Sequence, residues 1–235
     1  MFDMKPTIQL VVLDMAGTTV RDDDAVNSCL RAALSAAGVA VTRDEVNTVM
    51  GIPKPLAIET LLRATAPAAP PPAARINAIH DDFLVRMIRF YETDPRVGEM
   101  PGATETFRRL KQAGVKVALD TGFSRPIVNV ILDRLAWSQS DLLDATVTSD
   151  EVARGRPHPD LLFEAMRRTG VTDAQAVAKV GDTPSDLQEG RAAGCGLVIG
   201  VTNGTHTRAQ LAPHPHTQLI ASLAELPGLV LAAGH

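Results

Sequence analysis

A chain of 235 residues with 45% hydrophobic content has the material for one sizeable core and a smaller domain, as in a globular protein. Its formal net charge of −4 offers no basic surface to nucleic acid or to an anionic membrane. Two cysteines, Cys29 and Cys195, sit in no metal-spaced cluster. With no export signal at Met1 to Pro6 and no run of about 18 apolar residues, the expectation is a cytoplasmic protein acting on a small molecule.

Residues 8–13, Ile-Gln-Leu-Val-Val-Leu, are apolar except for Gln9 and read as a strand buried on both faces. The run stops at Asp14, and Met15-Ala16-Gly17-Thr18-Thr19-Val20 follows as a small turn. A carboxylate at the carboxyl end of a central strand lies where open α/β sheets bind ligands, so Asp14 is either a nucleophile or a turn cap.

After a charged turn at Arg21 to Asp24, residues 25–37 keep helical spacing at Val26, Leu30, Ala33, Leu34 and Ala37, with Gly38 as the stop. Thr42-Arg-Asp-Glu45 is a capping box and predicts a second helix running toward Met50-Gly51. Gly51-Ile-Pro-Lys54-Pro55 breaks the pattern, which residues 57–64 resume. The Pro-rich stretch 66–74 reads as a stiff surface connector, and residues 75–91 return to helical spacing with Ile79, Phe83, Met87 and Phe90. Residues 21–95 therefore form a helical insert between the first strand and the rest.

From Pro101-Gly102 onward strands and helices alternate. Helices are predicted over 103–113, 125–135 and 160–169, in a stretch running through Ala193, and near Leu223. Strands are predicted over 115–119, 145–148, 176–180 and 197–201. Units of this length imply a parallel sheet with right-handed crossovers. The second long strand ends near Thr121-Gly122, and the next at Gly181-Asp182, with Asp186 four residues on; Asp182 and Asp186 read either as ligands or as a helix-start pair. Arg156 stands between Gly155 and Pro157, followed by His158, which reads as structural. Residues 202–208 form a polar, Gly-containing segment with no assigned role.

These four stretches, around Asp14, Thr121, Arg156 and Asp182, resemble in order the motifs of the haloacid dehalogenase (HAD) superfamily of phosphotransferases. Ala16, where phosphatases carry a second Asp, resembles the phosphonatase branch. The resemblance implies a Rossmann-like parallel sheet core, residues 1–20 and 96–235, with a small helical cap domain, residues 21–95, inserted after the first strand. It implies a magnesium ion shared by Asp14, Asp182 and the backbone carbonyl of Ala16, a ligand set of hard oxygens that suits Mg²⁺. Thr121 would donate to the phosphoryl group, with Gly17, Gly51 and Gly122 lining the substrate. Arg156 would offset negative charge, and Asp186 would hold metal waters or orient Arg156. The branch also forms homodimers through its cap, which the helical faces here do not establish.

Met50-Gly51-Ile-Pro-Lys54 is similar to the cap segment that carries the branch's Schiff-base lysine. Three readings of Lys54 stay open: imine former, anchor for a distal anionic group, or solvated lysine. The branch places a cysteine and a histidine where this chain has Asp24 and Ala57. Because Ala16 has no proton to give, departure of an alkoxide is poorly served, whereas a carbon leaving group needs an electron sink. The leading expectation is a Mg²⁺-dependent hydrolase that forms an aspartyl phosphate and cleaves the carbon–phosphorus bond of phosphonoacetaldehyde or a similar small phosphonate. The alternatives are a phosphatase of small monoesters and a phosphonate-binding protein without turnover.

Overall fold

The computed structural model describes residues 8–65 and 70–232. The expectations resting on residues 1–7 and 66–69 lie outside the described residues, as do residues 233–235. Six parallel strands form one sheet in the order β3-β2-β1-β4-β5-β6. They are β1 (Leu10–Asp14), β2 (Lys116–Thr121), β3 (Ala145–Thr148), β4 (Val177–Gly181), β5 (Leu197–Val201) and β6 (Gln218–Ile220). β1 is central and entirely buried, because Val11 and Leu13 face one apolar cluster while Leu10 and Val12 face another. Two-sided burial removes the polar alternation of a surface strand, which is why the sequence shows a continuous apolar run.

Helices cover both faces. α7 (Asp160–Thr169) packs on the Leu10 and Val12 side, and α8 (Pro184–Ala193) covers β4 and β5. On the opposite side lie α5 (Ala103–Gln112) and α6 (Arg125–Arg134). Between β1 and β2 the chain forms α1 (Ala25–Ala36), α2 (Arg43–Asn47), α3 (Lys54–Thr65) and α4 (Ala73–Thr93). α1 packs on α2 and α4, α3 packs on α4, and α4 in turn rests on α6. Ile79, Phe83, Met87 and Tyr91 recur at helical spacing along α4 and are all buried, so this face joins the insert to the sheet's own core. The chain closes with α9 (Arg208–Leu211) and α10 (Leu226–Ala232).

Several boundaries differ from the sequence expectation. α2 is a single capped turn ending at Asn47 rather than a helix reaching Met50, although the Thr42–Glu45 capping box is present. α3 starts at Lys54 instead of Ala57, since Pro55 in its first turn forfeits only an amide that would lack a helical partner. Ala73 and Ala74, expected in the connector, already belong to α4, because proline's fixed φ at Pro72 suits the residue before a helix. β6 was not expected at all: it has three residues at the sheet edge, too short for a periodic signal. β2 runs two residues past the predicted end at 119, so Thr121 is its last residue.

Candidate active site

The carboxyl ends of β1, β2 and β4 converge where the strand order reverses, the place at which open α/β sheets bind ligands. Asp14 is the last residue of β1 and is buried. Its carbonyl accepts a hydrogen bond from the Thr19 hydroxyl at 2.9 Å, which fixes the turn that follows. Asp182 comes directly after β4, and Asp186 stands in the first turn of α8, in a capping box with Thr183. Oxygens of Asp14, Asp182 and Asp186 all lie within 4.8 Å of one another.

Asp182 is held from two sides. The Thr18 hydroxyl donates to one carboxylate oxygen at 3.0 Å and the Thr205 amide to the other at 2.6 Å. Gly17 and Gly204 press against the same group, for a Cβ on either would fall 2.3 and 2.4 Å from Asp182 Oδ2. Gly17 thus serves as a wall for Asp182, and the polar segment 202–208 has a place at the site through Gly204 and Thr205.

Burial pushes the Asp14 carboxyl up to about 8, with repulsion from Asp186 and Asp182 adding to the rise and Arg156 opposing it. Burial and then Asp186 push Asp182 up to about 7. Three acids this close cannot all ionise without a compensating charge, and an all-oxygen donor set suits a hard divalent cation. The residues present therefore fit a metal ion between Asp14 and Asp182, with Ala16 lining the pocket that Asp14 faces.

Arg156 is only 1% exposed and sits at the centre of a buried ion network. Its Nη1 donates to Asp14 at 2.6 Å and lies 3.0 Å from Asp186 Oδ1. Its Nε donates to Glu189 at 2.9 Å, and its Nη2 to the Asp120 carbonyl at 3.0 Å and to the Asp120 carboxylate. Lys179, from the middle of β4, reaches Asp120 as well and lies 3.0 Å from Glu189. Burial opposes both cations, but the surrounding carboxylates outweigh it and raise their pKa values above the ordinary range. Asp120 stays below the usual carboxylate range because Arg156 and Lys179 overcome its burial.

Sequence reasoning missed Asp120, Lys179 and Glu189. One signal was available, since a lysine inside the apolar strand Val-Ala-Lys-Val has to be paired when both faces are covered. For Glu189, one acid on a helix that shows little apolar periodicity, no such signal existed.

Lys54 opens α3 and is 4% exposed. Its Nζ donates to the Ile52 carbonyl at 3.4 Å and lies 5.8 Å from the centre of the Phe123 ring. It lines one narrow pocket together with Asp14, Ala16, Thr121 and Arg156. Burial is the main cause that brings its pKa down to about 8, against the pull of Asp14 and Asp22. Thr121 is 3% exposed and accepts the Phe123 amide at 3.2 Å.

Gly51, Gly122 and Gly155 explain how the Lys54 loop lies so close. A Cβ on Gly122 would meet the Ile52 carbonyl at 2.9 Å, and one on Gly155 would meet Pro53 at 2.2 Å. Gly51 has a φ of +82° and would strike Ser185 and Thr183. The sequence-predicted residues Asp14, Ala16, Gly51, Lys54, Thr121, Gly122 and Arg156 thus gather around one pocket. Gly17 and Asp186 stand just behind it, against Asp182 and Arg156 respectively.

Comparison with known proteins places the chain in a family. The profile of the haloacid dehalogenase-like hydrolases matches residues 8–194. A phosphonoacetaldehyde hydrolase of Bacteroides fragilis is 28% identical over 97% of this chain and 90% of its own. One from Bacillus cereus is 30% identical over 82% of this chain and 76% of its own. The crystal structure of a phosphonoacetaldehyde hydrolase-like protein from Oleispira antarctica superposes with a TM-score of 0.86 at 22% identity, covering 98% of this chain and 94% of the other. No helix among the described residues is long and apolar enough to cross a membrane. The chain is a hydrolase that belongs to the haloacid dehalogenase-like family, in its phosphonatase-like branch.

Proposed function

We propose that this hydrolase cleaves the carbon–phosphorus bond of phosphonoacetaldehyde or a close aldehyde phosphonate, using Lys54 as an imine-forming residue and Asp14 as the nucleophile. The observation that carries the reading is the burial of Lys54 in the pocket of Asp14, Thr121 and Arg156, with its pKa lowered to about 8. Lowering the pKa from the ordinary 10.5 to about 8 raises the share of free amine at neutral pH by more than a hundredfold, which an amine nucleophile needs and a solvent-facing lysine lacks.

In this mechanism the Lys54 nitrogen condenses with the aldehyde to give an iminium, and an Asp14 oxygen attacks phosphorus. The carbon–phosphorus bond breaks, its electron pair passes to the adjacent carbon, and the iminium takes it up as an enamine. No acid is required at the leaving group, which is consistent with Ala16. The enamine carbon then takes a proton from water, the resulting iminium is hydrolysed to release the dephosphorylated aldehyde and free Lys54, and a second water hydrolyses the aspartyl phosphate. Arg156 aligns Asp14 at 2.6 Å, and Thr121 and the amides around Gly122 receive the phosphoryl oxygens. Asp14, Asp182 and the carbonyl of Ala16 would hold Mg²⁺, which when bound neutralises charge between nucleophile and phosphoryl group. Asp186 orients Arg156. Residues 21–95 act as a cap that brings Lys54 to the core's Asp14.

Borohydride reduction in the presence of phosphonoacetaldehyde tests the reading, because it converts an imine to a permanent adduct that peptide mapping finds on Lys54. Lys54→Arg keeps the charge but cannot form an imine. The variant is expected to lose phosphonate cleavage and trapping to background. Retained phosphonate cleavage in Lys54→Arg, or turnover of small phosphate esters in preference to phosphonates by the wild type, would refute the imine mechanism.

A further inference from the structure

Condensation of Lys54 with an aldehyde requires a proton that none of the groups assigned above supplies. The inference that follows rests on the imine reading. The groups electrostatically coupled to Lys54 are Asp14, Asp22, Arg156 and, on α4, His80, which borders neither the Lys54 pocket nor the cavity beside it. Asp14 is committed to phosphorus and ion-paired to Arg156, and Arg156 keeps its protons among four carboxylates. Asp22 remains.

Asp22 lies in the turn between β1 and α1 and is 9% exposed. One of its carboxylate oxygens, Oδ1, accepts the Val26 amide at 2.8 Å, and Val26 itself lines the pocket of Lys54. Asp22 also borders a larger polar cavity that shares Met50 and Thr205 with that pocket. The carboxyl group thus borders the cavity next to the Lys54 pocket, with Val26, Met50 and Thr205 between the two, so a proton would pass between Asp22 and Lys54 by way of a bridging water. We propose that Asp22 delivers the proton that lets Lys54 form its imine, and takes it back when the imine is hydrolysed.

The step balances as follows. With Asp22 neutral and Lys54 a free amine, nitrogen attacks the carbonyl carbon, a carbon–nitrogen bond forms, and the nitrogen's proton passes to oxygen. Asp22 then protonates the resulting hydroxyl, the carbon–oxygen bond breaks, water leaves, and the iminium cation faces the Asp22 carboxylate. Burial narrows the gap between the two groups, raising Asp22 to about 6 and lowering Lys54 to about 8, so that the reactive neutral pair is a minor form in equilibrium with the ion pair between these limits. The other titratable neighbours of Asp22 are Asp23 and Asp24 on its own turn, Cys29 on α1, Arg43 on α2 and Tyr91 on α4. Asp24 is paired with Arg43 at 2.7 Å, and burial pushes the Cys29 thiol and the Tyr91 phenol up, so both stay neutral across this range.

Asp22→Asn keeps an oxygen for the Val26 amide and so preserves the start of α1, but it has no proton to exchange. The expected result is an adduct-forming rate on Lys54, measured by borohydride quench with phosphonoacetaldehyde, lower by about 100-fold. Thermal melts and inorganic phosphate binding are expected to match the wild type, and Asp22→Glu should recover part of the rate. The adduct-forming rate of the wild type should follow a bell with limbs at about 6 and about 8. Below the first limb both groups carry protons and the amine is blocked; above the second both have lost them and no acid remains. Asp22→Asn should lose the alkaline fall, a change that a purely structural role would not produce. If wild type is trapped and Asp22→Asn is trapped at the same rate with the same bell, the assignment of Asp22 is wrong and the imine reading survives. If wild type itself yields no adduct, the imine reading fails and the role of Asp22 falls with it.

Discussion

Arg156 illustrates at the scale of one residue how a motif position acquires its chemistry from its surroundings. Most of the superfamily resembled by the sequence carries a lysine there, and a lysine would satisfy Asp14 as a single point charge. The guanidinium instead reaches Asp14, Asp120, Asp186 and Glu189 at once, and Lys179 pairs with the last three of them. Arg156→Lys cannot span this set, so Glu189 or Asp120 would be left with a poorer partner. Breaking a fully buried pair costs about 3–5 kcal/mol. We expect Arg156→Lys to lose stability of that order in denaturant titration and to lower turnover further, through misalignment of Asp14. An unchanged unfolding midpoint would mean that Lys179 alone neutralises the cluster.

At the scale of elements, the loop of residues 51–53 is what brings the insert to the sheet. It is seated on three separate core segments: the turn after β2 at Gly122, the Arg156 loop at Gly155, and the start of α8 at Thr183 and Ser185. Backbone contact this close is possible only where no Cβ intervenes. Gly122→Ala would drive a methyl group to 2.9 Å from the Ile52 carbonyl, and the loop, being less fixed than β2, would give way. Its displacement carries Lys54 off the Phe123 ring. The expected outcome is a loss of imine trapping of roughly tenfold or more with only a small change in melting temperature, since positional errors near 1 Å cost about 100-fold in well-oriented reactions. Equal trapping in Gly122→Ala would show that the loop tolerates another seat.

Taken as a whole molecule, the protein stores repulsion at the carboxyl edge of its sheet. Asp14, Asp182 and Asp186 crowd one another while the apolar layers around β1 exclude water. A divalent cation that binds only the folded chain relieves this, and at 100 times its dissociation constant it stabilises by about 2.7 kcal/mol. For a chain of this size that corresponds to a rise in melting temperature of about 5–10 °C. Mg²⁺ should produce such a rise and a chelator should reverse it. Asp182→Asn, which keeps the acceptor for Thr205 but removes a charge, should melt higher than wild type without metal and respond little to Mg²⁺. A wild-type melting temperature indifferent to Mg²⁺ would count against a metal site here.

Much of the core was legible in the chain because it rests on local and periodic signals. The buried run before Asp14, the Thr42 capping box and the spacing of Ile79, Phe83 and Met87 are readable residue by residue, and the alternation of strand and helix implies a parallel sheet. The motif order also singled out Asp14, Lys54, Thr121, Arg156, Asp182 and Asp186 before any of them was placed. What no local pattern could give was pairing between residues far apart in the chain. The Asp120–Lys179–Glu189 group, the grip of Thr205 on Asp182 and the neighbourhood of Asp22 and Lys54 arise only when distant loops meet at one edge. The reason is physical: periodicity records which side of an element is buried, whereas a buried charge records which partner waits across the core, and that partner is set by packing in three dimensions.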